Sequence, residues 1–324
     1  MTLGRRRVLQ LAAGAAALPR LAFAQGAQPW PSRPVRLIAG FPPGSAPDLV
    51  ARLVGQSLSD SLGQPFVIEN RPGAASNIGT DSVVRSAPDG TTLLMSVLTN
   101  VFNTTLYTNL SFNFERDFVH VAGVANAPYV VVVPLSFPAA TIPEFIAYAK
   151  AHPGKINMAS GGKGSSSHIF GELFKTMAGV DLVHVPYRAN SMPDLISGQV
   201  QMFVAPIPQV LEIVRSGKLK ALAVTQPKRA AIAPNVPTMV EAGVEGYSAG
   251  IWMGLLAPTG TPPEIVDKLS HAANEALKSK EVLTLMAAQG VDPLGGAPGQ
   301  FAQFIDHELK KWDAVVKAAG IKTK

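Results

Sequence analysis

The sequence predicts an α/β protein of two lobes, each a parallel-type sheet with helices on both faces. Three observations predict it. Short apolar runs alternate with helix-period segments from residue 35 onward. The alternation forms two series, divided by the strongly apolar run at 129–134. Each series places a Gly/Ser-rich loop between an apolar run and a helix-period segment. The 324 residues, 47% hydrophobic and 15% charged, suffice for one or two packed cores and exclude a disordered chain.

In the first series, 35–39 reads as a strand and 48–62 as a helix whose Leu49, Val50, Leu53, Val54, Leu58 and Leu62 share one face. Strand 65–69, helix 76–86 and strand 92–96 follow, with Asp89-Gly90 as a turn. The second series runs as helix 143–151, strand 156–159, helix 167–178, strand 182–186, helix 192–197, strand 200–204, helix 207–216 and strand 219–225. A Pro-rich stretch at 227–237 and the segment 246–258 lead to closing helices at 263–279, 280–289 and 298–319. The last carries Phe301, Phe304, Ile305, Leu309 and Trp312 at amphipathic spacing and is expected to pack back on the first lobe. The expected division is 1–24 as an export signal, 25–126 with 250–324 as lobe 1, and 127–249 as lobe 2.

The signal reading rests on Arg5, Arg6 and Arg7 before the apolar stretch 8–18, with Ala22-Phe23-Ala24 as an A-x-A site, so cleavage is expected after Ala24. The triple arginine suggests the twin-arginine (Tat) route; Gly4 and Gln10 fit that pattern loosely and leave the general secretory (Sec) route open. The alternative, a membrane anchor, needs an apolar core of about 20 residues, which this stretch lacks. Removing residues 1–24 takes away four arginines and no acid, so the net charge falls from +6 to +2. No Lys/Arg run and no basic–aromatic interleaving remains, which excludes a nucleic-acid role. Without any cysteine there is no disulfide framework and no thiolate metal site. His120, His152, His168, His184, His271 and His307 show no ligand spacing, so no metal is expected. His184, in an apolar strand, reads as a core histidine.

The loops are Phe41-Pro42-Pro43-Gly44-Ser45-Ala46-Pro47-Asp48 and Ser160-Gly161-Gly162-Lys163-Gly164-Ser165-Ser166-Ser167-His168. A helix N-terminus leaves its first N–H groups unpaired and carries partial positive charge, so each loop offers an anion site at the carboxyl end of a strand. Two such sites in different lobes would hold one small anionic solute between them. Asp48 reads as an N-cap or first-turn acid, or as a residue ordering the amides beside the solute. Ser160, Ser165 and Ser166 read as hydroxyl donors to an oxygen anion or as caps. Thr99 and Asn100, past the strand at 92–96, would form a third ligand loop. Trp252 is either packing or a cleft wall. A serine hydrolase reading of Ser165 or Ser166 with His168 lacks the G-x-S-x-G elbow, and Ser160-Gly161-Gly162-Lys163 lacks the helix that S-x-x-K chemistry needs. Because no G-x-x-x-x-G-K-[ST] spacing occurs, no nucleotide and no cofactor is implied.

Further motifs accompany these: Pro34-Val35-Arg36-Leu37-Ile38, Pro43-Gly44 with Asp48, Glu69-Asn70-Arg71-Pro72-Gly73-Ala74, Asn77-Ile78-Gly79, Ala87-Pro88-Asp89-Gly90, Met177-Ala178-Gly179-Val180-Asp181, Val183-His184-Val185-Pro186-Tyr187, Ser216-Gly217-Lys218-Leu219 and Gly254-Leu255-Leu256-Ala257-Pro258. With them the chain resembles, over essentially its whole length past the signal, the Bug family, the periplasmic receptors of tripartite tricarboxylate transporters. The resemblance implies a two-lobed periplasmic-binding (Venus flytrap) fold with a hinge of two crossover segments. It also implies a non-catalytic, monomeric receptor in the periplasm that takes a small carboxylate, whether dicarboxylate, tricarboxylate or aromatic acid, and delivers it to a membrane permease. The solute would be held chiefly by backbone amides and short polar side chains. Together with the residues above, this gives a site of Phe41, Gly44, Ser45, Ala46, Asp48, Thr99, Asn100, Ser160, Gly164, Ser165, Ser166, His168, Tyr187, Arg188 and Ala205.

Three departures from the family pattern stand out. Ser45-Ala46-Pro47 replaces a Gly-rich stretch and removes one donor N–H at Pro47. Val204-Ala205-Pro206 lacks the usual acid, which points away from amine-bearing ligands and toward apolar or aromatic acids. Arg188-Ala189 replaces Lys-Gly and offers a guanidinium to a second carboxylate. A partner protein that presents ligand to a membrane sensor would share all of these features.

Overall fold

A computed structural model describes residues 30–322; the expected export signal and its cleavage after Ala24 lie outside the described residues. β1 (Val35–Ala39) leads into α1 (Ala46–Leu62), which starts with Pro47 in its first turn and ends at Gly63, whose φ of 73° only glycine adopts readily. Its buried Val50, Ala51, Val54 and Leu58 recur at helical spacing and pack on β1 and β2 (Phe66–Asn70). α2 (Asn77–Val84), β3 (Thr92–Val97), α3 (Leu98–Leu106) and the long β4 (Phe118–Pro134) complete the first half.

The second series is α4 (Ile142–Ala151), β5 (Asn157–Ser160), α5 (Ser166–Ala178), β6 (Val183–Pro186), α6 (Met192–Ser197), β7 (Met202–Pro206), α7 (Ile207–Arg215) and β8 (Leu219–Val224). The chain returns through β9 (Gly250–Pro258), α8 (Pro263–Ala276), α9 (Lys280–Ala288), β10 (Asp292–Gly295) and α10 (Pro298–Ala318).

The strands make two sheets joined through β4. In the first, β2, β1 and β3 are parallel, and β9, β4 and β10 add antiparallel strands. In the second, β6, β5 and β7 are parallel, with β4 and β8 antiparallel beside them. The expected parallel sheets are therefore parallel in one triplet each, and the remaining strands join through antiparallel pairs. β4 pairs with β9 along 118–128 and with β7 and β8 along 129–134, so it is one crossover between the lobes. The other is the segment 225–249, pinned at its ends where Thr225 N–H donates to Tyr129 C=O (2.9 Å) and Ala249 N–H to Thr225 C=O (2.8 Å).

One apolar cluster around Phe102, Phe170 and Trp312 spans both halves, while separate clusters form under α1 and α8 and under α6 and α7. α10 packs on α3 and β4, as expected for the first lobe, and also touches α5 of the second.

The register places the site. Ala39 aligns with Met95, and Val97, at the end of β3, aligns with Met253, which aligns with Ala125 of β4. In the other sheet Ala159 aligns with Phe203, and Pro206 aligns with Tyr129. The carboxyl ends of both parallel triplets therefore meet along β4 between residues 125 and 129, and every strand-to-helix loop of either triplet faces this line.

Candidate functional site

α5 presents its N-terminus to this line. Ser165 caps it, with a hydroxyl that accepts from His168 N–H (3.4 Å) and lies 3.1 Å from the Ser167 hydroxyl. The preceding loop satisfies most of its own amides. Gly161 N–H donates to Ser167 Oγ (2.9 Å), Gly162 N–H to Ser160 Oγ (3.1 Å), Gly164 N–H to His168 Nδ1 (3.1 Å) and Ser165 N–H to Gly162 C=O (3.2 Å). The loop is thus a rigid, internally bonded turn. The donors that helix geometry leaves over are the Ser166 and Ser167 N–H groups of the first turn, beside the Ser165 and Ser166 hydroxyls.

Two cavities meet at Ser165 and Ser166. One, of about 350 Å³, lies between the halves and is lined by Ala75, Thr99, Phe102 and Asn103 on one side and 163–166 on the other. The second, of about 290 Å³, runs along the second sheet past Tyr129, Asn190, Phe203 and Gln209. The hydroxyl of Tyr129, at the hinge position of β4, hydrogen-bonds Ser166, and burial pushes its phenol up to about 12. No Asp or Glu lines either cavity, and Lys163 lines the first.

The structure brings together some of the expected site residues and separates others. Thr99, Gly164, Ser165 and Ser166 line the interlobe cavity. Phe41, Gly44, Ser45 and Ala46 lie at the carboxyl end of β1 but line neither cavity, and the Ser45 hydroxyl donates to Pro42 C=O (2.6 Å). Arg188 is exposed beside the second cavity. Tyr187 turns its hydroxyl to Asp194 (2.6 Å); that bond to a carboxylate raises its phenol to about 12.

Five of the expected residues are buried, with side chains packed or hydrogen-bonded within the protein. Asp48, 1% exposed, accepts from Gly44 N–H (2.8 Å) and Asn70 Nδ2 (2.8 Å) and pairs with Arg52 (3.0 Å). Burial opposes its charge, yet these partners hold its carboxyl below the usual range, and its role is to tie the first loop. Asn100 sits in the first turn of α3, where Oδ1 accepts from Val97 N–H (2.9 Å) and Nδ2 donates to Thr80 Oγ1 (2.9 Å). No loop follows β3, since helix begins at Leu98. Ala205, fully buried, packs in the cluster under α6 and α7.

Ser160 and His168 are the remaining two. Ser160, also fully buried, lies 2.6 Å from His184 Nε2. His168, 5% exposed, stacks on His184 and accepts Gly164 N–H at Nδ1, so its proton sits on Nε2 facing Glu172 (3.7 Å). Burial, followed by repulsion from His184, Lys175 and Lys163, drives its pKa down to about 3. The Ser165–His168 and Ser166–His168 pairs that a hydrolase needs are not formed. His184 is half-buried on the edge strand β6 and props the loop from below. Trp252 is 1% exposed, packs edge-to-face on Phe301 and Phe304, and lines neither of these two cavities.

Beyond Thr99, the sequence reading missed what the first lobe brings to the interlobe cavity, the turn at 74–76 and Asn103. Ala74, Ala75 and Ser76 all take positive φ (46°, 52° and 79°), a strained left-handed turn held by Asn103 Nδ2 donating to Ala75 C=O (2.7 Å) and Asn77 Oδ1 (2.7 Å). The close approach of Gly40 and Gly79 beneath this turn leaves no room for a side chain at either position. Pro72-Gly73 was the available signal that the chain turns there.

No group of His, Cys, Asp and Glu among the described residues is placed to hold a metal ion, and no helix among them is long and apolar enough to cross a membrane.

A family model described as tripartite tricarboxylate transporter family receptor matches residues 50–321. Protein BugT of Bordetella pertussis is 38% identical over 302 residues, covering 92% of this chain and 93% of that protein. Among solved structures, R. palustris Rpa4515 with adipate has 33% identity and a TM-score of 0.73, covering 91% of this chain and all of that one. MatC from Rhodopseudomonas palustris with bound malate has 33% identity and a TM-score of 0.70, covering 89% of this chain and all of that one.

Proposed function

Because the chain belongs to the tripartite tricarboxylate transporter receptor family, we propose that it captures a small carboxylate at the N-terminus of α5 and delivers it to a membrane permease. The observation that carries this reading is the position of Ser165 and Ser166 at the junction of two cavities, one walled by both lobes. The first-turn N–H groups, the two hydroxyls and the helix dipole complement a carboxylate. Lys163 adds a positive charge, and the lack of a lining acid leaves nothing to hold an ammonium, which favours plain or aromatic acids over amino acids in this cleft. The relatives solved with adipate and malate support the same ligand class.

In this reading residues 25–126 with 250–324 move against 127–249 about β4 and the point where the 225–249 segment enters β9, and the acid stabilises the closed arrangement by touching both bodies. Arg188 and the loop at Gly44–Ser45–Ala46 approach the solute as the lobes shut, Arg188 pairing with a second carboxylate. Micromolar affinity corresponds to about −8 kcal/mol, within reach of a few charge-assisted hydrogen bonds at about 1.5–3 kcal/mol each after the cost of association. The test is calorimetric titration of the mature protein with adipate, malate, citrate and benzoate. Saturable binding of at least one acid, weakened in a Lys163→Ala variant, is expected. Failure of the whole panel overturns the reading. Co-purification with permease subunits, as against a sensor kinase, tests delivery.

A further inference from the structure

Six buried side-chain polar atoms among the described residues have no hydrogen-bond partner, and three of them, Asn126 Oδ1, Gln226 Nε2 and Trp252 Nε1, belong to residues lining one cavity of about 500 Å³. Unpartnered buried groups are costly and rare in folded proteins, so three at one cavity call for an occupant. Gln226 and Trp252 are 5% and 1% exposed. The cavity lies at the hinge: Asn126 is on β4, Gln226 opens the 225–249 crossover, and Trp252 is on β9. It shares no lining residue with the two cleft cavities. Gly250 lets the two amides gather, since a Cβ there would stand 2.7 Å from Gln226 Nε2 and 2.9 Å from Asn126 Oδ1.

The lining sorts by chemistry. Arg229 is committed to Glu241, and Lys311 to Glu308 and the Ser248 carbonyl, so neither is available to a guest. Lys228 is exposed and makes no ion pair among the described residues; Asp292, the register partner of Asn126, likewise has none, and burial pushes its carboxyl up. Phe304, Leu294 and the Trp252 ring supply an apolar surface. The cavity lining thus offers two neutral donors and a cation together with an amide oxygen and a carboxylate.

We propose that this hinge cavity is a second ligand site for a small zwitterion with an apolar body, an α-amino acid of the phenylalanine or leucine type. The carboxylate is held by Lys228, Gln226 Nε2 and Trp252 Nε1, the ammonium by Asp292 and Asn126 Oδ1, and the side chain by Phe304 and Leu294. This differs from the cleft, which carries no acid. An occupant joins β4, β9 and the crossover, so its binding is coupled to any opening that moves them.

The test is calorimetric titration of the mature protein with L-phenylalanine, 3-phenylpropionate and 2-phenylethylamine, with the tryptophan indole N–H resonances followed in parallel. Saturable binding of L-phenylalanine with a shift of the Trp252 resonance is expected, the two half-ligands shifting that resonance only at about tenfold higher concentration or more. Lys228→Ala, Asp292→Asn and the cavity-filling Ala231→Trp, all at exposed or half-exposed positions, should each cost about tenfold or more in affinity with unchanged thermal unfolding. No saturable binding overturns the proposal. So does binding that these three variants leave intact, which places the amino acid elsewhere, or a half-ligand that shifts the Trp252 resonance at the same concentration as the zwitterion.

Discussion

His168 and His184 stack face to face, ring centroids 3.6 Å apart and planes 9° from parallel, beneath the loop that enters α5. Both must stay neutral, because burial and the neighbouring positive charges lower both pKa values, His168 to about 3. An unfolded histidine takes up a proton near pH 6.5 and the folded His168 does not, so stability is present above that pH and is lost as pH falls. About 2 kcal/mol should disappear between roughly pH 6.5 and 5 on this account alone. Urea unfolding across that range should show the slope in the wild type and a flatter profile in His168→Asn, whose side-chain oxygen can still accept Gly164 N–H.

The N-terminus of α5 separates binding from folding. In Ser166→Asp a carboxylate enters the first turn, where the helix dipole favours it by about 0.3–1 kcal/mol, and the Tyr129 hydroxyl can donate to it. The same charge repels an incoming acid. Thermal unfolding should be unchanged or slightly raised, and carboxylate affinity should fall by about a hundredfold or more, near 3 kcal/mol. Equal loss of stability and binding would show that Ser166 is structural.

Two glycines make opposite predictions. A Cβ on Gly254 of β9 would stand 2.2 Å from the Phe301 ring and 2.9 Å from the Ala122 carbonyl oxygen, a flat ring and a backbone atom that have no easy escape. Gly254→Ala should cost about 1–3 kcal/mol. A Cβ on Gly171 of α5 also falls 2.2 Å from a neighbour, but that neighbour is the flexible Met158 thioether. Alanine gains about 1 kcal/mol of helix propensity there, so Gly171→Ala should be near neutral in the same urea measurement.

Much of the fold was legible because most elements obey one period. The helices α1, α5 and α10 carry apolar spacing and the parallel strands are short apolar runs, so their order followed directly. The first half of β4 was not legible: Gly123, Asn126 and Pro128 interrupt its pattern, and pairing with β9 holds it extended. α3 was hidden by β-branched and Asn residues, Thr99, Asn100, Thr104 and Thr105, whose intrinsic helix preference is weak and which tertiary packing overrides.

At the candidate site, the Ser165 cap was legible because a cap after a Gly-rich loop has a sequence signature. The burial of Asp48, Ser160 and His168 was not, since the same residue types serve a ligand or the loop itself equally well. The left-handed turn at 74–76 was invisible because alanine rarely adopts positive φ, and hydrogen bonds from Asn103 to Ala75 and from Thr80 and Asn100 to Ser76 hold it there.

The most direct test of the central claim is a crystal structure of the mature protein with adipate. The account predicts a carboxylate with oxygens about 3 Å from the Ser166 N–H and the Ser165 or Ser166 hydroxyl, and a ligand in contact with residues of both lobes. Adipate seated away from the α5 N-terminus, or touching one lobe alone with the lobes apart, would contradict it.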